Sequence, residues 1–317
     1  MSILTPHAAR TRFLLMHDTT VSVEKKGHLR QTCMALTNGG ADVHTALIET
    51  DDDALAFAAD AHTNYDAILV AGERRLLDVI DHAALPDVPV GLMQPGALTP
   101  LSRATGMRGK AAQIAAALSE GPAFAMDALS ITAHAQDAAF ARVAVSAGQS
   151  AELIDALMPS VVKPLASAMG TYALAKNAAR RVSRFDVALD GFNYRCVAVF
   201  VLAKRGCGAL LPAAEALPQA PLACVLIEAD DRTAMFDMLV SARLGRLFRD
   251  RSVSVRPAHQ VTINGDDVVM QCDGHSIAPT RANRPVTITG HAAARPFIVA
   301  QEIGARLVDV TSNTLAA

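Results

Sequence analysis

Residues 66–107, DAILVAGERRLLDVIDHAALPDVPVGLMQPGALTPLSRATGM, constrain this chain more than any other stretch. The apolar run Ala67 to Ala71, bounded by Asp66 and Gly72, reads as a strand buried on both faces. Leu76, Leu77, Val79 and Ile80 then recur at helical spacing, on a helix entered through Arg74 and Arg75. A second strand over Val88 to Met93 runs into a Pro95-Gly96 break and an amphipathic segment with Leu101 and Met107. Strand, turn, helix, repeated, is the pattern of a parallel α/β sheet, whose ligands sit beyond the carboxyl ends of the strands. The turns after these two strands are therefore the place to look for a site.

The flanking sequence extends the pattern. Arg12 to Met16 predicts a first strand, Val21 to Leu36 a helix stopped by Asn38-Gly39-Gly40, and Val43 to Ile48 a second strand. Asp51, Asp52 and Asp53 open the next helix by capping its free amides, since three adjacent acids cannot all face one ion. An alanine-rich helix over Gly109 to Leu118 follows, and Gly121 to Met126 leads into Asp127. From about 129 the pattern changes to short β-prone runs: Phe140 to Val145, Phe185 to Leu189, Cys196 to Leu202, Leu222 to Ile227, Val253 to Val255, Val261 to Ile263, Val268 to Cys272 and Val286 to Ile288. Such closely spaced strands predict a β-rich sandwich, interrupted by helices over Leu153 to Val182 and Thr233 to Phe248. The expected division is an α/β domain over 12–128, a β-rich domain over 129–294, and a C-terminal strand (Phe297 to Ala300) and tail over 295–317.

At 317 residues the chain has room for both domains. Trp is absent and aromatics are 4%, so the core is built from Ala, Val, Leu, Ile and Met. Cysteines at 33, 196, 207, 224 and 272 form no CxxC pair and are odd in number, which favours reduced, packed thiols of a cytoplasmic protein over a disulfide framework or a zinc site. With a formal charge of −2 and dispersed Lys and Arg, nothing points to nucleic acid. The N-terminus MSILTPHAARTRF lacks a secretory apolar region, and no apolar run approaches the roughly twenty residues that a bilayer span needs, so membrane contact is expected to be peripheral.

In order and spacing, the stretch 66–107 resembles the catalytic domain of the diacylglycerol kinase, sphingosine kinase and bacterial lipid kinase family. That family carries Gly-Gly-Asp-Gly-Thr after such a strand and Pro-Leu-Gly-Thr-x-Asn after the next. Here the turns read Ala71-Gly72-Glu73-Arg74-Arg75 and Gln94-Pro95-Gly96-Ala97-Leu98-Thr99, and the Asn-Pro turn after the first strand is replaced by His17-Asp18-Thr19-Thr20. The resemblance implies a Rossmann-like α/β nucleotide domain of the NAD kinase and lipid kinase type, then a β-sandwich, with the last strand returning to the first domain. It places Gly72, Glu73, Arg74, Arg75, Gly96 and Thr99 at the nucleotide. Arg74 and Arg75 fill space that glycine would leave open; they either grip a phosphate or form a solvated helix start. Glu73 stands in place of the family's aspartate, one methylene longer.

The likeness continues into the second half. MGTYALAKNAARRV, 169–182, resembles the family's Leu-Gly-x-x-Ala-Tyr helix, and Pro212 and Ala214 match its Pro-x-Ala. Lys204 replaces an asparagine, and the magnesium-holding Asp-Gly pair falls near Gln219-Ala220. Asp273-Gly274-His275 stands where the family has Asp-Gly-Glu, whose glutamate takes the proton from the lipid hydroxyl. His275 with Asp273 are thus the catalytic candidates; the competing reading is a hairpin-turn histidine with no catalytic task. Arg243, Arg246, Arg249 and Arg251 either meet acidic headgroups or line a solvated helix face.

Phosphoryl transfer depends on positioning and charge neutralisation, so changing the phosphate cradle, the metal carboxylate and the base together should cost many orders of magnitude. The expected function is a lipid-kinase-like protein with a degenerate catalytic site, binding a lipid or small ligand in the interdomain cleft, with no metal or cofactor. The alternative is an active lipid kinase using ATP and Mg2+ on a diacylglycerol- or sphingoid-type hydroxyl, with Glu73 on magnesium, Arg74 or Arg75 on phosphate and His275 as base. A third class is a structural subunit docking through its alanine-rich helices. Expected partners are the ligand, the inner membrane face and a second copy of the chain in a homodimer.

Overall fold

The computed structural model describes residues 9–18, 21, 23–71, 76–77, 79–80, 88–93, 100–107, 109–133, 136–148, 183–203, 220–229, 231, 233–234, 237, 241, 249–273, 275–277, 280 and 284–304. The chain divides into two compact units, Met1–Met126 with Ala293–Ala317, and Asp127–Ala292.

The first unit contains β1 (Arg12–Asp18), α1 (Val23–Asn38), β2 (Asp42–Ile48), α2 (Asp51–Asn64), β3 (Ala67–Ala71), β4 (Val90–Leu92), α3 (Pro100–Thr105) and α4 (Ala111–Glu120). Its strands are parallel in the order β2-β1-β3-β4, and Phe297 near the end of β16 (Val286–Ile298) pairs in parallel with Val90. β3 is buried at every position, as an uninterrupted apolar run requires of a strand covered on both faces. The α1 stop works through backbone bonds: the amides of Gly40 and Ala41 donate to Thr37 and Leu36 carbonyls at 2.9 and 3.1 Å.

The acidic triplet 51–53 is a helix start. Thr50 is the N-cap of α2: its hydroxyl accepts from the Asp53 amide at 3.1 Å, while the Asp53 carboxylate accepts from the Thr50 amide at 3.0 Å. Arg10, two residues before β1, is buried and clamps the end of α4. Its guanidinium donates to the carbonyls of Leu118 at 3.2 Å and Gly121 at 2.7 Å, where the helix leaves carbonyls without partners. Burial lowers its pKa from the ordinary arginine value, against the opposing pull of Asp66.

The second unit is a β-sandwich. One sheet runs β16-β13-β8-β9, with β13 (Gln260–Asn264), β8 (Phe185–Leu189) and β9 (Phe192–Cys196) antiparallel. The other runs β12-β11-β10-β7-β14-β15: β12 (Val253–Ala258), β11 (Leu222–Ile227), β10 (Ala198–Ala203), β7 (Ala144–Gly148), β14 (Met270–Cys272) and β15 (His275–Ile277). Val187, Leu189, Val261 and Ile263 of the first sheet share one core with Val145, Val199, Val201, Leu226 and Met270 of the second. The chain enters this unit within β5 (Ala123–Ala133), which pairs with β6 (Gln136–Ala141), and leaves it within β16.

Three sequence expectations change. The strand expected over Phe140 to Val145 is two, because β6 ends at Ala141 in one sheet and β7 begins at Ala144 in the other. The run from Cys196 to Leu202 is likewise the end of β9 and the start of β10, parted at Val197. Val286 to Ile288 and Phe297 to Ala300 belong to one strand through Ile298; its middle reads Gly290-His291-Ala-Ala-Ala-Arg295, without the apolar run that marks a buried strand. The helix expected over 153–182 lies outside the described residues, as do Lys204, Cys207, Pro212, Ala214, Gln219, Arg243 and Arg246. Thr233, Ala234, Asp237 and Ser241 are helical, within the segment expected to be so, while Arg249 and Arg251 follow it, exposed. No helix of the described residues is long and apolar enough to cross a membrane.

Candidate functional site

Parallel order β2-β1-β3-β4 reverses direction between β1 and β3, and in open α/β sheets the crevice beyond the carboxyl ends at such a point takes the ligand. Register brings those ends together. His17 lies opposite Ala71, Val70 opposite Leu92, and the Met93 amide donates to the Val70 carbonyl at 2.9 Å. His17 and Asp18 are half-buried, with His17 Nδ1 3.4 Å from the Asp18 carbonyl oxygen. In the sequence, residues 72–75 directly follow Ala71 and 94–99 directly follow Met93. Gly72, Glu73, Arg74, Arg75, Gly96 and Thr99 themselves lie outside the described residues, as do Thr19 and Thr20.

The other candidates occupy the β14–β15 hairpin. Cys272 and His275 are paired across it, and Asp273 lies in the turn that follows Cys272, while Gly274 lies outside the described residues. Asp273 takes the left-handed conformation, φ +48°, that such turns demand and that aspartate tolerates. Its side chain is committed. Oδ2 accepts from the Arg142 amide at 2.7 Å, and Oδ1 accepts from the amides of Val143 at 3.0 Å and Ala144 at 2.9 Å, all buried. The Asp273 amide returns a bond to the Ala144 carbonyl at 2.9 Å. Three consecutive amides aimed at one carboxylate cannot also serve a strand ladder, and it is here that β6 gives way to β7. Both lone pairs of Oδ1 are used and one of Oδ2 remains.

A second hairpin repeats the device away from any expected site. Asp190-Gly191 turns β8 into β9 with Leu189 opposite Phe192, and Asp190 has the same φ of +48°. Its carboxylate accepts from the amides of His259, at 3.0 and 3.1 Å, and Gln260, at 2.9 Å, and its own amide donates to the Gln260 carbonyl at 3.1 Å. An Asp-Gly turn whose aspartate grips the next strand is thus a structural element of this sandwich. Sequence reading passed over Asp190, although the Asp-Gly dipeptide is itself a hairpin signal.

Asp273 and His275 are therefore neighbours in one hairpin, with the aspartate turned onto backbone. Among the described residues no group of three or more His, Cys, Asp or Glu is placed to hold a metal ion.

No protein-family model matches the sequence, and no curated protein does. Solved structures do match the fold. A diacylglycerol kinase from Bacillus anthracis str. Sterne superposes with a TM-score of 0.57 at 15% identity, over 93% of this chain and 98% of that one. Two further Bacillus anthracis str. Sterne structures assigned to diacylglycerol kinases give 0.60 at 16% identity, over 92% and 99% of the two chains, and 0.61 at 14%, over 93% and 99%. At such identities the likeness is one of fold, and the fold of this chain, an α/β domain joined to a β-sandwich, is that of these diacylglycerol kinase structures.

Proposed function

We propose that this chain is a lipid-kinase-like protein whose catalytic site is degenerate, and that it binds a lipid or small ligand without transferring phosphate to it. The observation that carries the reading is the contrast at the end of β3. The strand frame at the switch point is kept, yet the turn leaving Ala71 reads Gly72-Glu73-Arg74-Arg75, where a triphosphate would need small residues and close backbone amides. The Asp273 carboxylate, engaged with three amides, adds support: it positions the hairpin and leaves one lone pair for other work.

Isothermal titration with Mg-ATP, paired with mass spectrometry of small molecules extracted from the purified protein, tests this. The reading expects no saturable Mg-ATP binding and a co-purified lipid. Saturable binding abolished by Arg74→Ala would replace it with the active alternative, in which Glu73 holds magnesium, an arginine grips phosphate and His275 accepts the proton of a lipid hydroxyl. Because a lipid ligand is met at a bilayer, flotation with phospholipid vesicles reports the peripheral membrane contact that belongs to the same reading.

A further inference from the structure

Three side chains of the first unit form a hydrogen-bonded chain that the lipid-kinase reading leaves unused. Asp42 and His44 alternate on β2 and so point to the same side, and β2 stands at the end of the strand order. Tyr65 closes α2, its amide donating to the Ala61 carbonyl at 3.0 Å. The next residue is fixed as well: the Asp66 carboxylate accepts from the amides of Thr11 at 2.9 Å and Arg12 at 3.0 Å. Tyr65 is thereby held against β2. Its hydroxyl lies 3.0 Å from His44 Nδ1, the His44 Nε2 lies 3.1 Å from Asp42 Oδ2, and the two rings meet edge to face at 5.5 Å.

The chemistry of the three groups fixes the direction of the bonds. An ionised carboxylate only accepts, so Nε2 carries the hydrogen and Nδ1 turns its lone pair to the Tyr65 O–H. Nucleophile hydroxyl, imidazole base and orienting carboxylate then stand in the order of a catalytic triad, with the roles of the two ring nitrogens exchanged. Simple packing of Tyr65 would need neither the base nor the acid behind it. Arg12, opposite Asp42 in the β1–β2 register, is paired with Asp66 at 3.3 Å. His44 and Asp42 are exposed and Tyr65 is half-buried, so a reagent in solution can reach the group.

We infer that Tyr65 is a nucleophilic modification site that accepts an acyl group from an activated ester. As the phenol oxygen bonds to the ester carbonyl carbon, its proton passes to His44 Nδ1. The bond from that carbon to the leaving oxygen breaks, the leaving group departs with the electron pair, and the imidazolium returns the proton to it or to water. The product is an aryl ester on Tyr65. His44 is the base, and Asp42 is a positioning residue acting through it.

p-Nitrophenyl acetate is the probe, used on the full chain with peptide mass spectrometry. The expected result is a burst of about one p-nitrophenolate per chain, with acetyl found on Tyr65 ahead of Tyr172 and Tyr194. Tyr65→Phe should abolish the burst. His44→Gln keeps an acceptor for the hydroxyl but no base, and should slow acetylation of Tyr65 about a hundredfold. Asp42→Ala should slow it at least about tenfold, and the conservative Asp42→Glu, which keeps a carboxylate for the His44 ring, should recover much of the rate, a rescue that a purely structural contact would not produce. Acetylation of Tyr65 no faster than of Tyr194, or a rate unchanged by His44→Gln, overturns the inference. Should the histidine variant fail to fold, Tyr65→Phe, which loses one oxygen and keeps the ring, still decides: a burst that survives it refutes the assignment.

Discussion

Asp273→Asn separates a carboxylate that holds backbone from one that serves a ligand. Asparagine tolerates φ +48° as aspartate does, so the turn itself is not strained. Its carbonyl oxygen can keep the amides of Val143 and Ala144, but its NH2 group then faces the Arg142 amide, donor against donor, in a site only 7% exposed. A charge-assisted hydrogen bond is lost and a buried donor is stranded, each of order 1.5–3 kcal/mol and overlapping, so the expected cost is about 2–4 kcal/mol. Asp190→Asn in the matching turn is the internal control. That side chain is 38% exposed, water can replace the missing partner, and the cost should be about 1 kcal/mol or less. Urea unfolding followed by circular dichroism measures both. Hydrogen exchange localises the effect: the amides of residues 142–144 should exchange roughly 30- to 1,000-fold faster in Asp273→Asn, at about 1.4 kcal/mol per decade. A loss below about 0.5 kcal/mol, with protection intact at 142–144, would refute the structural assignment. If, besides, a ligand that co-purifies with the unaltered protein were missing from the variant, the carboxylate would belong to that ligand.

Other consequences can be checked with the same protein. Burial alone would raise the Asp66 and Asp190 carboxyls, but the amides of Thr11 and Arg12, and of His259 and Gln260, outweigh it and hold both below the ordinary value of 3.8. Their stabilisation is present above that value and is lost as pH falls through the lower folded values, so Asp66→Asn and Asp190→Asn should each flatten the acid loss of urea midpoint below about pH 4; equal slopes would contradict this. Burial, with Glu228 and Asp186 adding, pushes the Cys196 thiol up to about 12, and burial also raises Cys224 and half-buried Cys33. Iodoacetamide at about pH 8 should therefore label Cys33 well before Cys196 and Cys224, and prompt native labelling of Cys196 would count against the packing. Gly148 sits at φ +86°, where an added Cβ would fall on the Val197 carbonyl oxygen and the Phe185 ring; Gly148→Ala should cost about 2–4 kcal/mol from backbone strain plus overpacking, measured by thermal unfolding.

What the sequence disclosed divides along a physical line. β3, β8 and β11 stand at the residues their apolar patterns indicated, because burial on one or both faces writes itself into a local run or alternation. β9 left no such mark. Its side chains Phe192, Asn193 and Arg195 are exposed, and the strand is specified by the turn before it. The break between β6 and β7 was beyond any local reading, since its cause, the Asp273 carboxylate, is 129–131 positions away. That same bond bears on the candidate site. Read as a motif, Asp273-Gly274-His275 suggests acid and base side by side. In the fold the aspartate ties one strand of a sheet to the point where another begins, as Asp190 does in a turn where no chemistry was expected. The aspartate of such a turn can therefore be accounted for by the demands of the sandwich alone. Whether phosphoryl transfer occurs is decided by the Mg-ATP titration and by residues 72–75, which follow β3.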